Sequence, residues 1–276
     1  MSPIHPQSRR MAISLTIVVP TLNTYRLLPV LLSSLQAQNW PHWRILFIDG
    51  NSGPNHRQWL DQCCKADSRC SWLMQNPDEP GIFGAMNQGF AEASIDDWLL
   101  FWGSDDWAAG PDVFTQVIAA LERAASQDIT PDLLVCSGRY VDAASGELAR
   151  STAFCSSGSL DRKAYRRALW LGSTPPHQAT LFGPSVRRYL ASYAAGFRLS
   201  ADLDYFLQLS RQPGLQVQCL DLELVHMSDA GVSGQQTQRR LQEVCRAYRR
   251  AFSWLWWFPF VARYIRRIAS CLFGYR

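Results

Sequence analysis

The segment Phe101-Trp102-Gly103-Ser104-Asp105-Asp106-Trp107 places two adjacent carboxylates directly after an apolar run, Trp98-Leu99-Leu100. Desolvation and mutual repulsion oppose ionisation of neighbouring acids at such a place, and a divalent cation removes that penalty. Three more loops carry polar groups of the same sort: Pro20-Thr21-Leu22-Asn23, Asp49-Gly50-Asn51-Ser52 and Asp78-Glu79-Pro80-Gly81. An acid can accept a base-edge N–H or a ribose hydroxyl, and a cation can neutralise phosphates. The set therefore suits a nucleotide with a metal-bridged diphosphate. A structural use competes with this, because Ser-Asp-Asp is also good turn and N-cap material.

Such loops need a scaffold that gathers strand ends. Ser14 to Pro20 is a β-branched run that reads as a buried first strand, and Leu27, Leu28, Leu31, Leu32 and Leu35 follow at helical spacing. Arg44 to Ile48 is the second strand, with a helix at about Asn55 to Ala66 and a short strand at Ser71 to Gln75. A helix over Phe83 to Ala93, a strand over Trp98 to Trp102, a helix over Asp112 to Ala125 and a strand over Asp132 to Cys136 continue the alternation. Val141 to Ala168 is weakly patterned and reads as loops with an antiparallel excursion. Ser200 to Leu209 is a helix beginning in acids, and Gln216 to Val225 a late strand. This alternation predicts an α/β fold with a mostly parallel sheet and flanking helices. Ligands of such sheets bind at the C-terminal ends of the strands.

Of the 276 residues, 47% are hydrophobic and 18% charged, which indicates an ordinary core. The net charge of +4 is uneven: from Arg239 onward there are nine arginines and one acid, Glu243, leaving the body acidic. A mildly acidic body argues against nucleic-acid binding. The eight cysteines form no Cys-x-x-Cys pair and read as mostly buried thiols of a reducing compartment. Met1 to Arg10 lacks the apolar core of a secretory signal, so the expected location is cytoplasmic. Phe252 to Ala262 is heavily aromatic, contains Pro259, and is flanked by Arg246, Arg249, Arg250, Arg263, Arg266 and Arg267. It is shorter than the roughly 20 apolar residues of a spanning helix. It predicts a helical membrane-associating tail, bent at Pro259, seated on an anionic membrane surface. Completing the core or making a homodimer contact is the alternative use of these rings.

No Gly-x-Gly-x-x-Gly follows the first strand and no P-loop is present. The motifs instead resemble those of the family 2 glycosyltransferases, which have the Rossmann-like GT-A fold. The likeness covers Leu15 to Trp107 and, less closely, Pro175 to Leu209. Thr16 to Asn23 is similar to the family's opening strand and nucleotide-facing loop, which implicates Pro20, Thr21 and Asn23. Ile48-Asp49-Gly50-Asn51-Ser52 is similar to its second-strand motif, whose acid holds the nucleobase, so Asp49 and Asn51 join the donor side. Glu79 to Gly89, with Gly81 and Asn87, is similar to the segment preceding the metal motif, although Gly84 stands where the family often has an acid. Gly103-Ser104-Asp105-Asp106 looks like the Asp-x-Asp equivalent, with Ser104 and Asp105 toward the donor and Asp105 and Asp106 toward the metal.

The resemblance implies a divalent cation, Mn²⁺ or Mg²⁺, and a nucleoside diphosphate sugar donor, UDP-linked rather than GDP-linked. Asp202 is expected as the base, with Asp204 as second choice, and His177 and Gln178 on the acceptor side. His226 is a candidate third metal ligand, or a residue that orders a closing loop at Ser228 to Ser233. The expected organisation is an N-terminal extension (1–13), a GT-A domain (14–235, with 14–110 the nucleotide-sugar half and 111–235 the acceptor half) and a basic aromatic helical tail (236–276). The implied function is inverting transfer to a saccharide or lipid-linked acceptor in surface polysaccharide or glycolipid synthesis, peripheral on the inner face of the cell membrane. The rival readings are a degenerate glycosyltransferase-like partner subunit and a sugar nucleotidyltransferase. The Gly-rich, Arg-containing first loop expected of the latter is absent.

Overall fold

The structure, a computed structural model, describes residues 13–142, 145–228 and 237–273, with side chains of 237 and 267–273 left aside. Residues 1–12, most of the Ser228 to Ser233 loop, and the side chains of Arg267 and Cys271 lie outside the described residues. The chain alternates β1 (Leu15–Thr21), α1 (Leu28–Gln36), β2 (Trp43–Asp49), α2 (Pro54–Ala66), β3 (Cys70–Met74), α3 (Ile82–Glu92) and β4 (Trp98–Phe101). It continues through β5 (Asp106–Ala108), α4 (Val113–Ser126), β6 (Leu133–Val141), β7 (Leu148–Thr152), β8 (Gly158–Asp161), α5 (Arg162–Trp170) and β9 (Thr180–Phe182). The last elements are α6 (Val186–Tyr189), α7 (Ala201–Leu209), β10 (Gln216–Ser228), α8 (Thr237–Phe252) and α9 (Trp257–Phe273).

Among the described residues these strands form one ten-stranded sheet ordered β3-β2-β1-β4-β9-β6-β10-β5, with β7 beside β6 and β8 beside β10. The sheet is parallel from β3 to β4, as expected, and mixed beyond, because β9 runs antiparallel between β4 and β6. β1 explains the first half: Leu15, Ile17 and Val19 pack with α1, α2 and α4, while Val18 faces α3 and α7. Helices on both faces bury both sides of the strand, so its sequence is a continuous apolar run rather than an alternation. The predicted antiparallel excursion resolves into β7, β8 and α5. The cysteine expectation is corrected at one pair, since Cys155 and Cys219 are joined in a disulfide that ties the chain before β8 to β10.

The first helix of the C-terminal region packs into the core. Val244, Ala247, Tyr248, Ala251 and Phe252 bury one face of α8 in the same core as α7. The chain bends at Ser253–Leu255, a 3-10 turn with Ser253 at φ 50°, and not at Pro259. Pro259 falls in the first turn of α9, where a missing N–H is tolerated because those donors lack intrahelical partners anyway. No helix among the described residues is long and apolar enough to cross a membrane.

Candidate active site

The loops after β1, β2 and β4 meet at the C-terminal edge of the parallel strands. Asn23 and Asn51 turn these loops with φ of 57° and 69°, a conformation asparagine adopts more readily than most residues. The loops are also laced together. Asn23 N–H donates to Ser52 Oγ at 2.8 Å, and Asn23 Oδ1 accepts from Gly53 N–H at 2.8 Å. Thr24 Oγ1 donates to Ser104 Oγ at 2.9 Å, and Ser104 Oγ donates to the Pro20 carbonyl at 3.1 Å. Gly81, at the start of α3, is held by its carbonyl, which accepts from Gln75 Nε2 at 2.7 Å. Gly84 answers the question its identity raised: a Cβ there would lie 1.8 Å from the Glu79 carbonyl oxygen. The loop over Glu79 packs against the helix at that point and leaves no room for an acid.

Asp49 is 0% exposed. Ser52 donates to it through N–H (3.0 Å) and Oγ, and Thr21 Oγ1 stands 3.4 Å away. These bonds tie Asp49 to its own loop and to the end of β1. Two neighbours escaped the sequence reading. His56 Nε2 and Arg57 Nε each lie 3.6 Å from Asp49, and Arg57 Nη2 donates to Asn51 Oδ1 at 2.5 Å. Burial lowers the His56 pKa, with the Asp49 charge opposing. Their place in the first turn of α2, just past Gly53-Pro54, was the available signal.

Asp105 and Asp106 converge. A Cβ on Gly103 would stand 2.8 Å from Asp105 Oδ1 and 3.3 Å from Asp106 Oδ2, so both carboxylates border one small space. Asp106 accepts the Gly103 N–H at 2.6 Å, and burial pushes its pKa up to about 7, with Gly103 opposing and Asp105 adding to the rise. Burial raises Asp105 as well. Neither is ion-paired among the described residues. His226 does not complete a ligand set. It stands opposite Trp107 in the β5–β10 ladder, but its Nε2 bonds Glu223 Oε1 at 2.8 Å, and Glu223 also receives Arg139 at 2.7 Å. Among the described residues no group of three His, Cys, Asp or Glu side chains is placed to hold a metal.

On the other flank of β4, His177 stacks on Phe101 with ring centroids 5.7 Å apart and bonds Tyr193 Oη through Nε2 at 2.7 Å. Burial lowers its pKa, and the nearby Asp202 charge opposes. Gln178 is anchored through its carbonyl, which accepts from Trp102 Nε1 at 2.9 Å. Asp202, in the first turn of α7, is half-buried, whereas Asp204 is 1% exposed and paired with Arg250 of α8 at 2.6 Å. Burial raises the Asp204 pKa, with the Arg250 charge opposing. Asn87, expected on the donor side, has its amide closed on the Tyr193 backbone, accepting N–H at 2.7 Å and donating to C=O at 3.2 Å. Glu243, the acid of the tail, accepts N–H groups from Arg198 (3.0 Å), Leu199 (2.8 Å) and Ser200 (2.9 Å), directly ahead of Asp202.

Relatives share this arrangement of sequence and fold. A mycobacterial protein named "PGL/p-HBAD biosynthesis glycosyltransferase" (Mycobacterium bovis, strain BCG / Pasteur 1173P2) is 24% identical over 229 residues, covering 78% of this chain and 77% of its own. The crystal structure of S. aureus TarS 1-349, also solved in complex with UDP, superposes with a TM-score of 0.67 at 14% identity, covering 94% of this chain and 75% of that one. The mannosyltransferase PcManGT from Pyrobaculum calidifontis, in complex with GDP-Man and Mn²⁺, has a TM-score of 0.60 at 13% identity, covering 93% and 70%. At those identities the two structures establish the fold, a GT-A-like α/β arrangement. The sequence itself goes further, since the profile described as Glycosyl transferase family 2 matches residues 16–180, more than half the chain, and the chain belongs to that family.

Proposed function

We propose that the protein moves a sugar, with inversion, from a nucleoside diphosphate sugar to a saccharide or lipid-linked acceptor in glycolipid or surface polysaccharide synthesis. The observation that carries this reading is the exit of β4. On one side of it Asp105 and Asp106 converge over Gly103, and on the other Phe101 stacks on His177, whose titration feels Asp202. The relative named for PGL/p-HBAD biosynthesis supports a glycolipid-type acceptor.

In this reading Asp202 accepts the proton of the acceptor hydroxyl as its oxygen bonds to the anomeric carbon. The bond from that carbon to the diphosphate oxygen breaks on the opposite face. Pro20, Thr21, Asn23 and Asn51 line the nucleoside end, UDP being favoured over GDP, and Asp49 acts from beneath by fixing Ser52. The unpaired carboxylates at 105 and 106 fit Mg²⁺ or Mn²⁺, which is commonly held by one or two carboxylates with substrate phosphates completing the shell. Such an ion supplies Lewis-acid stabilisation of the leaving diphosphate. His226, through Glu223 and Arg139, orders the strand that flanks Asp106. The exposed rings of Trp254 and Trp257 support a peripheral seat on the anionic inner face of the cell membrane, where a lipid-linked acceptor is met.

The test is release of UDP or GDP from a panel of sugar nucleotides, with a lipid extract as acceptor, with and without Mn²⁺. Asp202→Asn should lower turnover about 10²–10⁴-fold while donor binding still raises the melting temperature. Undiminished turnover would remove Asp202 as the base, and no release from any donor would remove the transferase reading.

A further inference from the structure

The basic character of this chain is not confined to its C-terminal segment. Helix α5 reads Arg162-Lys163-Ala164-Tyr165-Arg166-Arg167-Ala168-Leu169-Trp170, with four cations and no acid within it. Its residues sort into three stripes. Tyr165 and Leu169 are buried in the core; Arg162, Arg166 and Trp170 are half-buried, the last two against α8 and α9; Lys163, Arg167 and, just past the helix, Leu171 are exposed. Like charges at this spacing destabilise a helix on its own. Asp161 caps the helix, its carboxylate accepting the Ala164 N–H at 2.8 Å, but among the described residues no carboxylate is ion-paired with Arg162, Lys163, Arg166, Arg167 or the neighbouring Arg211. Arg166 is instead bound to neutral groups, Ser210 Oγ at 3.0 Å and the Ala251 carbonyl at 3.1 Å, with its guanidinium 4.5 Å over the Phe252 ring. Burial, then Arg211 and Arg162, hold its pKa down.

This cationic helix is continuous with the apolar face of α9. Trp170 stacks on Phe258 at 5.3 Å and meets the edge of Phe252 at 4.9 Å. The turn after α5 touches the α9 backbone: a Cβ on Gly172 would lie 2.5 Å from Arg263 Cα, and Arg263 Nη1 donates to Thr174 Oγ1. Beyond that seam Trp257, Phe258, Val261 and Ile265 form an exposed stripe of helical period, from 42% to 60% exposed, with Trp254 at 78% beside it. Exposed rings and aliphatic side chains on α9, packed through Trp170 to a helix whose outward cations meet no carboxylate among the described residues, suit the acyl and headgroup layers of an anionic bilayer.

We infer that α5, the Leu171–Thr174 turn and α9 form one composite surface for an anionic lipid bilayer, with Lys163 and Arg167 contacting headgroups. This rests on the peripheral seat proposed above, and it adds a part of the chain sixty-odd residues before the tail. Because the turn runs on into His177, the surface would hold the acceptor side of the site against the lipid.

The test is sedimentation of the full chain with vesicles of phosphatidylcholine alone or mixed with phosphatidylglycerol, for wild type, Lys163→Glu/Arg167→Glu, Lys163→Arg/Arg167→Lys and Trp254→Ala/Trp257→Ala. Wild type and the charge-conserving variant should bind the mixed vesicles alike. The charge reversal should weaken that binding by about 25-fold or more, at about 1 kcal/mol per near-surface cation, with its melting temperature and donor-induced thermal shift unchanged. If only the tryptophan variant loses binding, the α5 surface is overturned and the tail anchor stands. If wild type binds neither vesicle, both fall. A face covered by a second copy, seen as a lipid-independent dimer that the charge reversal dissociates, also overturns the proposal.

Discussion

The loops proposed to take the donor and the flank proposed to take the acceptor, the donor loops and acceptor flank below, meet at the same strand ends but are held by different means. The donor loops support one another: Asn23 pairs with Ser52 and Gly53, Thr24 with Ser104, and Ser104 with Pro20. Every partner but Pro20, at the end of β1, lies just after a strand. The acceptor flank borrows its support from far along the chain. Glu243 of α8 gathers the N–H groups ahead of Asp202, Arg250 holds Asp204, and Asn87 of α3 clamps Tyr193. A strand-end loop is thus held by the loops that the parallel sheet sets beside it, whereas the flank exists only once α8 has docked. The basic C-terminal region belongs to the architecture of the site, whatever its outer face contacts.

The contrast can be broken by substitution. Asp106→Asn should lower turnover by about 10²–10³-fold, the scale for losing one electrostatic group at a developing charge. It should leave thermal stability intact, since burial opposes that carboxylate's ionisation. A melting temperature that falls with turnover would show that the donor loops depend on the acid for folding. Glu243→Ala should act the other way round. It leaves the buried Ser200 N–H and the part-buried N–H groups of Arg198 and Leu199 without an acceptor, at about 1–3 kcal/mol for a group left unsatisfied in the interior, so urea unfolding should show a loss of about 3 kcal/mol. Asn87→Ala is expected to be milder, at about 1–2 kcal/mol. Although Asn87 sits in the donor half, its removal should raise the KM for acceptor and spare the donor-induced thermal shift. Weakened donor binding instead would put Asn87 back among the nucleotide contacts.

The same contrast explains what the sequence disclosed. The strands β1, β2 and β4 and their loops were readable because apolar runs and turn residues act locally, and the motifs at 20–23, 49–52 and 103–106 sit where those runs end. What escaped needs partners distant in sequence. β6 extends to Val141, beyond the run ending at Cys136, because β7 and β10 supply neighbours for Gly138 to Val141. β9 is three residues long and exists only as a bridge between β4 and β6. Glu243 reads as a lone acid among arginines, and nothing near it announces that its acceptors serve the turn before α7. Asp49 was found, but its complete burial under Ser52 and Thr21 depends on how two loops close over it.

The smallest expected effect tells the two regions apart by titration. His177 is buried among Phe101, Phe182 and Tyr193, and burial holds its pKa below the ordinary 6.5. Between that lowered value and 6.5 the unfolded chain binds a proton that the folded chain does not. Its contribution is therefore intact above 6.5 and is lost as the pH falls through this window. His56, buried beside Asp49 in the donor loops, is lowered by the same cause and adds a slope of the same sign. Urea midpoints taken above 6.5 and about one unit below it should therefore drop in acid for the wild type. His177→Gln and His56→Gln, neither able to take up the proton, should each flatten that drop. In the double variant the two reductions should add, because groups without shared partners contribute independently. A double variant no flatter than the better single one would mean that only one of the two histidines is exposed in the measured transition, so that the two regions do not open as a single unit and their separate means of support make them separately stable.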